Sequence, residues 1–134
     1  MAKIMTKATQ LAVSLPNKPG ALAQFCSTLS KAGVNITALL TPESGRRGKV
    51  RVLVDNPEKA KDAMKEAKMR FSEEEVIAIE LDNKPGAVGE VAGKLAQSKI
   101  NVKYAYATVS EGSAKARMIV AVPNVTKALG TLGE

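Results

Sequence analysis

Asn17-Lys18-Pro19-Gly20-Ala21 recurs unchanged as Asn83-Lys84-Pro85-Gly86-Ala87, and this repetition decides the fold. The offset is 66 residues in a chain of 134. At the same offset Leu22 becomes Val88, Phe25 becomes Val91, Cys26 becomes Ala92 and Leu29 becomes Leu95. Val34-Asn35-Ile36 becomes Ile100-Asn101-Val102, Arg51 matches Arg117, and Pro57 matches Pro123. One offset that aligns features from position 17 to position 57 marks a tandem duplication. The boundary falls near Ser72 to Glu75, which divides the chain into residues 1–73 and 74–134.

Outward from the loop, each copy reads the same way. Gln10 to Leu15 alternates and stops at a proline-glycine turn, which predicts a strand. Leu22, Phe25, Cys26 and Leu29 then fall at i, i+3, i+4 and i+7, one apolar stripe on a helix. Gly33 suits a left-handed cap at its end. Asn35 to Leu40 and Lys49 to Val54 read as strands, joined by the turn-rich run Pro42 to Gly48. Asp55-Asn56-Pro57 signals a second helix, striped by Ala60, Ala63, Met64 and Ala67. A short strand from about Met69 to Glu75 would close the copy. The second copy predicts a strand from Val76 to Leu81, a helix from Ala87 to Gln97 and strands from Asn101 to Val109 and Lys115 to Val122. Its last helix carries Val125, Ala128, Leu129 and Leu132. It then ends without a fourth strand, and Met1 to Thr6 is a candidate to fill that edge. The fold class expected is α+β: two ferredoxin-like βαββαβ units packed side by side, the second lacking its last strand. About 65 residues bury little alone, so each unit needs the other for stability.

Composition narrows the function. The chain has no histidine, no tryptophan and one cysteine. Ser-His and Cys-His nucleophiles, histidine-containing zinc sites and internal disulfides are thereby excluded. The patterns GxGxxG and GxxxxGKS/T are absent. No catalytic residues, no metal ligands and no cofactor are expected, and the chain reads as a non-enzyme. Without a long apolar run or a secretory apolar region, the expected place is the cytoplasm, with no membrane partner.

The repeated loop has a chemistry of its own. It joins a strand end to a helix start, where the first N–H groups, near Gly20, Ala21 and Leu22, lack intrahelical partners. Gly20 allows close approach, Pro19 pre-orders the loop, and Asn17 offers both a donor and an acceptor. Such a site suits a carboxylate beside an ammonium. A plain turn with Asn17 bonded to its own backbone explains the same residues equally well.

The pattern resembles the ACT domain family, the small-molecule regulatory module of amino-acid metabolism. The resemblance rests on Leu15-Pro16-Asn17-Lys18-Pro19-Gly20-Ala21-Leu22, on Leu29 through Gly33-Val34-Asn35-Ile36, and on their counterparts Asn83 to Val88 and Ile100-Asn101-Val102. It covers nearly the whole chain as two domains. It implies a regulatory protein that binds a free amino acid where two ACT domains join. Carried over residue by residue, Asn17 would act with Asn101, and Asn83 with Asn35. The implied ligand-binding set is Asn17, Gly20, Ala21, Leu22, Asn35, Ile36, Asn83, Gly86, Ala87, Val88, Asn101 and Val102. The absent last strand and the lack of histidine near the first loop depart from the pattern of relatives.

Other residues have plainer readings. Cys26 belongs to the helix core. Arg51 and Arg117 suit a surface or an interface. Tyr104 and Tyr106 share one side of a strand. Lys59, Lys61, Lys65 and Lys68, interleaved with Glu58, Asp62 and Glu66, form a solvated helix face. A net charge of +7 keeps an RNA-binding ferredoxin-like module as an alternative. Two Phe and two Tyr provide no stacking set for it, which leaves nucleic acid disfavoured. A third reading is a regulatory or interaction subunit of an amino-acid biosynthetic enzyme. The expected partners are therefore a free amino acid and an amino-acid metabolic enzyme, with room for a homodimer.

Overall fold

The alternation around Gln10 extends further toward the N-terminus than the proline-bounded window indicates. The computed structural model describes residues 4–16, 18–41 and 47–133. In it β1 runs Ile4–Pro16, followed by α1 (Ala21–Lys31), β2 (Ile36–Leu40), β3 (Arg47–Val54) and α2 (Pro57–Glu66). Then come β4 (Phe71–Asp82), α3 (Ala87–Gln97), β5 (Tyr104–Thr108), β6 (Lys115–Ala121) and α4 (Val125–Leu132). Two units form: residues 9–74, and residues 4–8 together with 75–133. The division at residue 73 keeps the N-terminal residues with the first unit. The structure instead groups residues 4–8 with the second.

The first unit has the strand order β2-β3-β1-β4. Leu11 pairs with Val52 and Val13 with Val50, antiparallel. One face of this sheet and the two helices enclose Leu11, Val13, Phe25, Leu29, Val52, Ala60 and Met64. Phe25 and Leu29 are fully buried, and each contributes roughly 1.5–3 kcal/mol by leaving water. Cys26 packs half-buried against this core. The stripe differs from the expected one at Leu22, which is 40% exposed. Ala21, Phe25 and Leu29 form the buried line instead. The turn expected from Pro42 to Gly48 lies mostly outside the described residues.

The second unit has the order β1-β4-β6-β5. Its fourth strand is residues 4–8 of β1, so the edge expected to be open is filled by the segment that starts the chain. Met5 packs against the core, and Lys7 pairs with Glu75 at 3.5 Å. The expected strands near 69–75 and 76–81 are a single strand, β4. Ile77 pairs with Val120, and Ile79 with Met118. Val91 and Leu95 of α3, with Ala128 and Leu132 of α4, cover that face. β5 begins at Tyr104 rather than Asn101. Tyr104 and Tyr106 stand opposite Ala121 and Ile119, which places both on the face away from this core.

The helix ends repeat as well. Gly33, at φ 77, follows α1, and Val34 N–H reaches back to Leu29 O. The counterpart Lys99 takes φ 58 after α3, and Ile100 N–H reaches Leu95 O. A lysine thus holds a left-handed position that favours glycine.

Candidate functional site

Two kinds of helix start coexist in this chain. Asn56 and Asn124 cap α2 and α4, accepting from the N–H of Lys59 and Lys127. Such a cap contributes about 1 kcal/mol. Gly20 and Gly86 begin α1 and α3 at φ 88 and φ 89, with no side-chain cap. Both positions are left-handed, where glycine escapes the Cβ clash. The backbones of the two loops match. Lys18 N–H donates to Pro16 O and Lys84 N–H to Asp82 O. Ala21 and Ala87 N–H donate to Lys18 O and Lys84 O, both at 3.3 Å. The Ala21 and Ala87 amides are therefore engaged within the turn. Among the described residues nothing accepts from Val88 N–H, and that group remains to meet an anion.

The second loop is anchored by Asn83. Its backbone N–H donates to Ala114 O, and its Nδ2 donates to Ser113 O, each at 2.9 Å. These bonds tie the loop to the turn between β5 and β6. One of the two carboxamide N–H groups is spent on structure, and Oδ1 is the atom able to accept from an ammonium. Beside it lies a cavity of about 180 Å³ whose lining includes Asn83, Ala87, Val88 and Val109. Val88 is 44% and Val109 42% exposed. Both are large apolar groups left facing outward beside the uncapped Val88 amide.

Asp82 also borders this cavity, and Lys115 donates to it at 2.6 Å. That hydrogen bond and charge hold the Asp82 carboxyl below its usual range and raise the Lys115 ammonium.

Of the implied ligand set, Asn83, Ala87 and Val88 gather at this cavity, with Gly86 opening the helix beside them. Asn101 and Val102 do not. They follow α3, whose 11 residues span about 16 Å. Asn101 is exposed at that far end and Val102 packs into the core. In the first unit Asn17 lies outside the described residues. Gly20 is the helix start, Ala21 is buried and Leu22 exposed. Asn35 exchanges bonds with Asp55: its N–H donates to Oδ1 and its O accepts from Asp55 N–H, both at 3.0 Å. Ile36 packs against the core. Sequence reasoning missed Val109 and Asp82 at the cavity. Their signal was spatial: β5 ends beside the loop, as its pairing with β6 dictates.

The two arginines at matched repeat positions have different fates. Arg51 is bound by Glu74 at 3.0 Å. Arg117 lines a cavity of about 360 Å³ on the face away from the helices, with Glu80 opposite it on β4. Among the described residues no helix is long and apolar enough to cross a membrane, and no cluster of three potential ligands could hold a metal.

The family model for the ACT domain pair matches residues 5–129. The chain belongs to the ACT domain pair family. Protein BT0572 from Bacteroides thetaiotaomicron is 29% identical, with a TM-score of 0.90 over 96% of this chain and 88% of that one. The ligand-free regulatory subunit of aspartate kinase from Thermus thermophilus is 15% identical, with a TM-score of 0.69 over 99% and 95% of the two chains. A structure of aspartokinase alpha and beta subunits is also 15% identical, at 0.65 over 98% and 95%. The last two likenesses concern the fold of the ACT pair. Among curated proteins, none matches the sequence.

Proposed function

We propose that this ACT pair senses a free amino acid and regulates amino-acid metabolism in the cytoplasm without catalysing a reaction. The observation that carries the reading is the cavity at Asn83, Ala87 and Val88, where an acceptor, an uncapped amide and outward-facing valines adjoin. An α-carboxylate matches Val88 N–H, an ammonium matches Asn83 Oδ1, and an aliphatic side chain matches Val88 and Val109. Two or three charge-assisted bonds give roughly 1.5–3 kcal/mol each. Association entropy removes at least about 4 kcal/mol. Affinity on the order of micromolar to millimolar follows, suited to reporting a metabolite pool. Gly20, Ala21, Leu22, Asn35 and Ile36, with Asn17, are the corresponding set of the first unit, and Asn101 and Val102 complete the proposed ligand residues.

A second reading draws on the fold shared with regulatory subunits of aspartate kinase. In it the chain is a regulatory subunit of an amino-acid biosynthetic enzyme, and the ligand acts through that partner.

A thermal-shift screen over the twenty amino acids tests the sensor. Stabilisation of about 2.7 kcal/mol is expected at a hundred times Kd for the cognate ligand. If no amino acid raises the melting temperature, the sensor reading fails. Recovery of an amino-acid metabolic enzyme by affinity purification, with no amino-acid shift, favours the second reading.

A further inference from the structure

The first unit carries a cavity of about 310 Å³ whose lining includes Ser14, Lys18, Gln24, Lys68 and Arg70. No carboxylate lines it. Four other cations have carboxylate partners: Lys7 with Glu75, Arg51 with Glu74, Lys61 with Glu58 and Glu73, and Lys115 with Asp82. Among the described residues no such partner meets Lys18, Lys68 or Arg70. Three positive charges therefore converge on one concavity uncompensated, and each disfavours the others until an anion enters.

The repeat sharpens the point. At the shared offset Ser14 becomes Glu80, Pro16 becomes Asp82, Gln24 becomes Glu90 and Lys68 becomes Glu134, while Lys18 remains lysine as Lys84. Four positions that are neutral or basic around this cavity are acidic in the other copy. A face needed only for solubility has no reason to differ in sign so consistently between two halves of one chain.

We infer that this cavity is an anion site for a small phosphate-bearing molecule, bound by Lys18, Lys68 and Arg70. Arg70 supplies the planar fork that matches two phosphate oxygens, and the lysines supply point charges. Ser14 and Gln24 add polar groups to the same wall. The volume corresponds to roughly ten waters at about 30 Å³ each. It leaves room for a substituent, so a phosphate monoester fits better than free phosphate. The site differs in residues and in ligand charge from the amino-acid cavity of the second unit, and it does not depend on that reading.

Isothermal titration of the full chain with inorganic phosphate, glycerol 3-phosphate and acetate tests the site. Glycerol 3-phosphate is expected to bind most tightly, phosphate next and acetate least. The double variant K68Q/R70Q is expected to weaken the monoester at least about tenfold, and K18Q severalfold. K99Q/K103Q removes the same charge from the other unit, including the left-handed Lys99, and is expected to leave binding unchanged. Equal weakening by both doubles would reduce the effect to general charge attraction and overturn the site. So would acetate matching the monoester, or the absence of binding by either phosphate compound. The amino-acid thermal shift serves as the independent readout: it is expected to survive K68Q/R70Q, so failure of one reading leaves the other standing.

Discussion

Glycine-to-alanine changes in and next to α3 carry opposite predicted signs within eight residues. Gly86 opens the helix at φ 89, while Gly89 and Gly93 lie inside it. A Cβ built at any of the three meets nothing within 4 Å, so packing plays no part. At Gly86 the left-handed backbone costs an L-residue about 1–2 kcal/mol. Restriction of the unfolded chain returns about 0.4–1 kcal/mol. G86A should therefore destabilise by about 1 kcal/mol. At Gly89 and Gly93 the backbone is helical, and alanine is favoured by about 0.8–1 kcal/mol each. The pair G89A/G93A should stabilise by about 1.5–2 kcal/mol. Gly20, at φ 88 and equally open, should repeat the Gly86 result in the first unit. Urea melts followed by circular dichroism read these variants, and thermal midpoints should move by roughly 3–6 °C per kcal/mol. A neutral G86A would show that the left-handed turn does not hold the loop. A G89A or G93A destabilised beyond about 0.5 kcal/mol would show that the outer face of α3 is covered, contrary to the structure.

Three further outcomes follow from single contacts. N83A removes the Nδ2 bond to Ser113 O, and should lower stability by about 0.5–1.5 kcal/mol while abolishing the amino-acid thermal shift; a variant that keeps the full shift would remove Asn83 from the site. The Asp82–Lys115 pair should contribute steadily from pH 5 to 9. The lowered Asp82 pKa makes its contribution full above about pH 4 and lost as pH falls through the depressed value. The raised Lys115 pKa keeps its contribution below about pH 10.4 and loses it only as pH rises through the elevated value. Urea midpoints of D82N and the parent should therefore converge in acid, and a constant gap down to pH 2 would contradict the assignment. R51A should destabilise by up to about 1 kcal/mol because it removes the ion pair with partly buried Glu74, whereas R117A should stay within about 0.5 kcal/mol, both by chemical denaturation.

The repeat made the architecture legible because it fixes the order of elements twice and at one offset. What it could not show was where strands are shared out. Glu73-Glu74-Glu75 reads as the end of one strand and the boundary between the copies, yet β4 runs straight through it. Each acid has a cation beside it: Lys61 at 3.1 Å, Arg51 at 3.0 Å and Lys7 at 3.5 Å. Those partners are 12, 23 and 68 residues away, beyond any local window. The segment Ile4 to Ala8 has no clean alternation, and its pairing comes from an open edge formed by residues 75–82. The candidate site was half legible. Asn83, Ala87 and Val88 are local to one loop and were found together. Val109 enters through the end of β5. Leu22 and Val88 fit a helical stripe by spacing, but each lies at the first turn, where the alanine before it takes the buried position.

Duplication has preserved the backbone of the loop far better than the chemistry around it. The starting glycines agree to within a degree in φ. The cavities beside them share little: one is small with an apolar wall, the other larger and cationic. Backbone geometry is set by proline, glycine and the turn bonds, all of which survived the copy. The proposed ligand preferences rest on side chains outside both cores, such as Gln24 against Glu90. Those positions could diverge without cost to either core, because both sit outside the buried lines of Phe25–Leu29 and Val91–Leu95. The amino acid that fits the second loop best is therefore not expected to fit the first with equal affinity, and the tightest phase of amino-acid binding should saturate at one per chain.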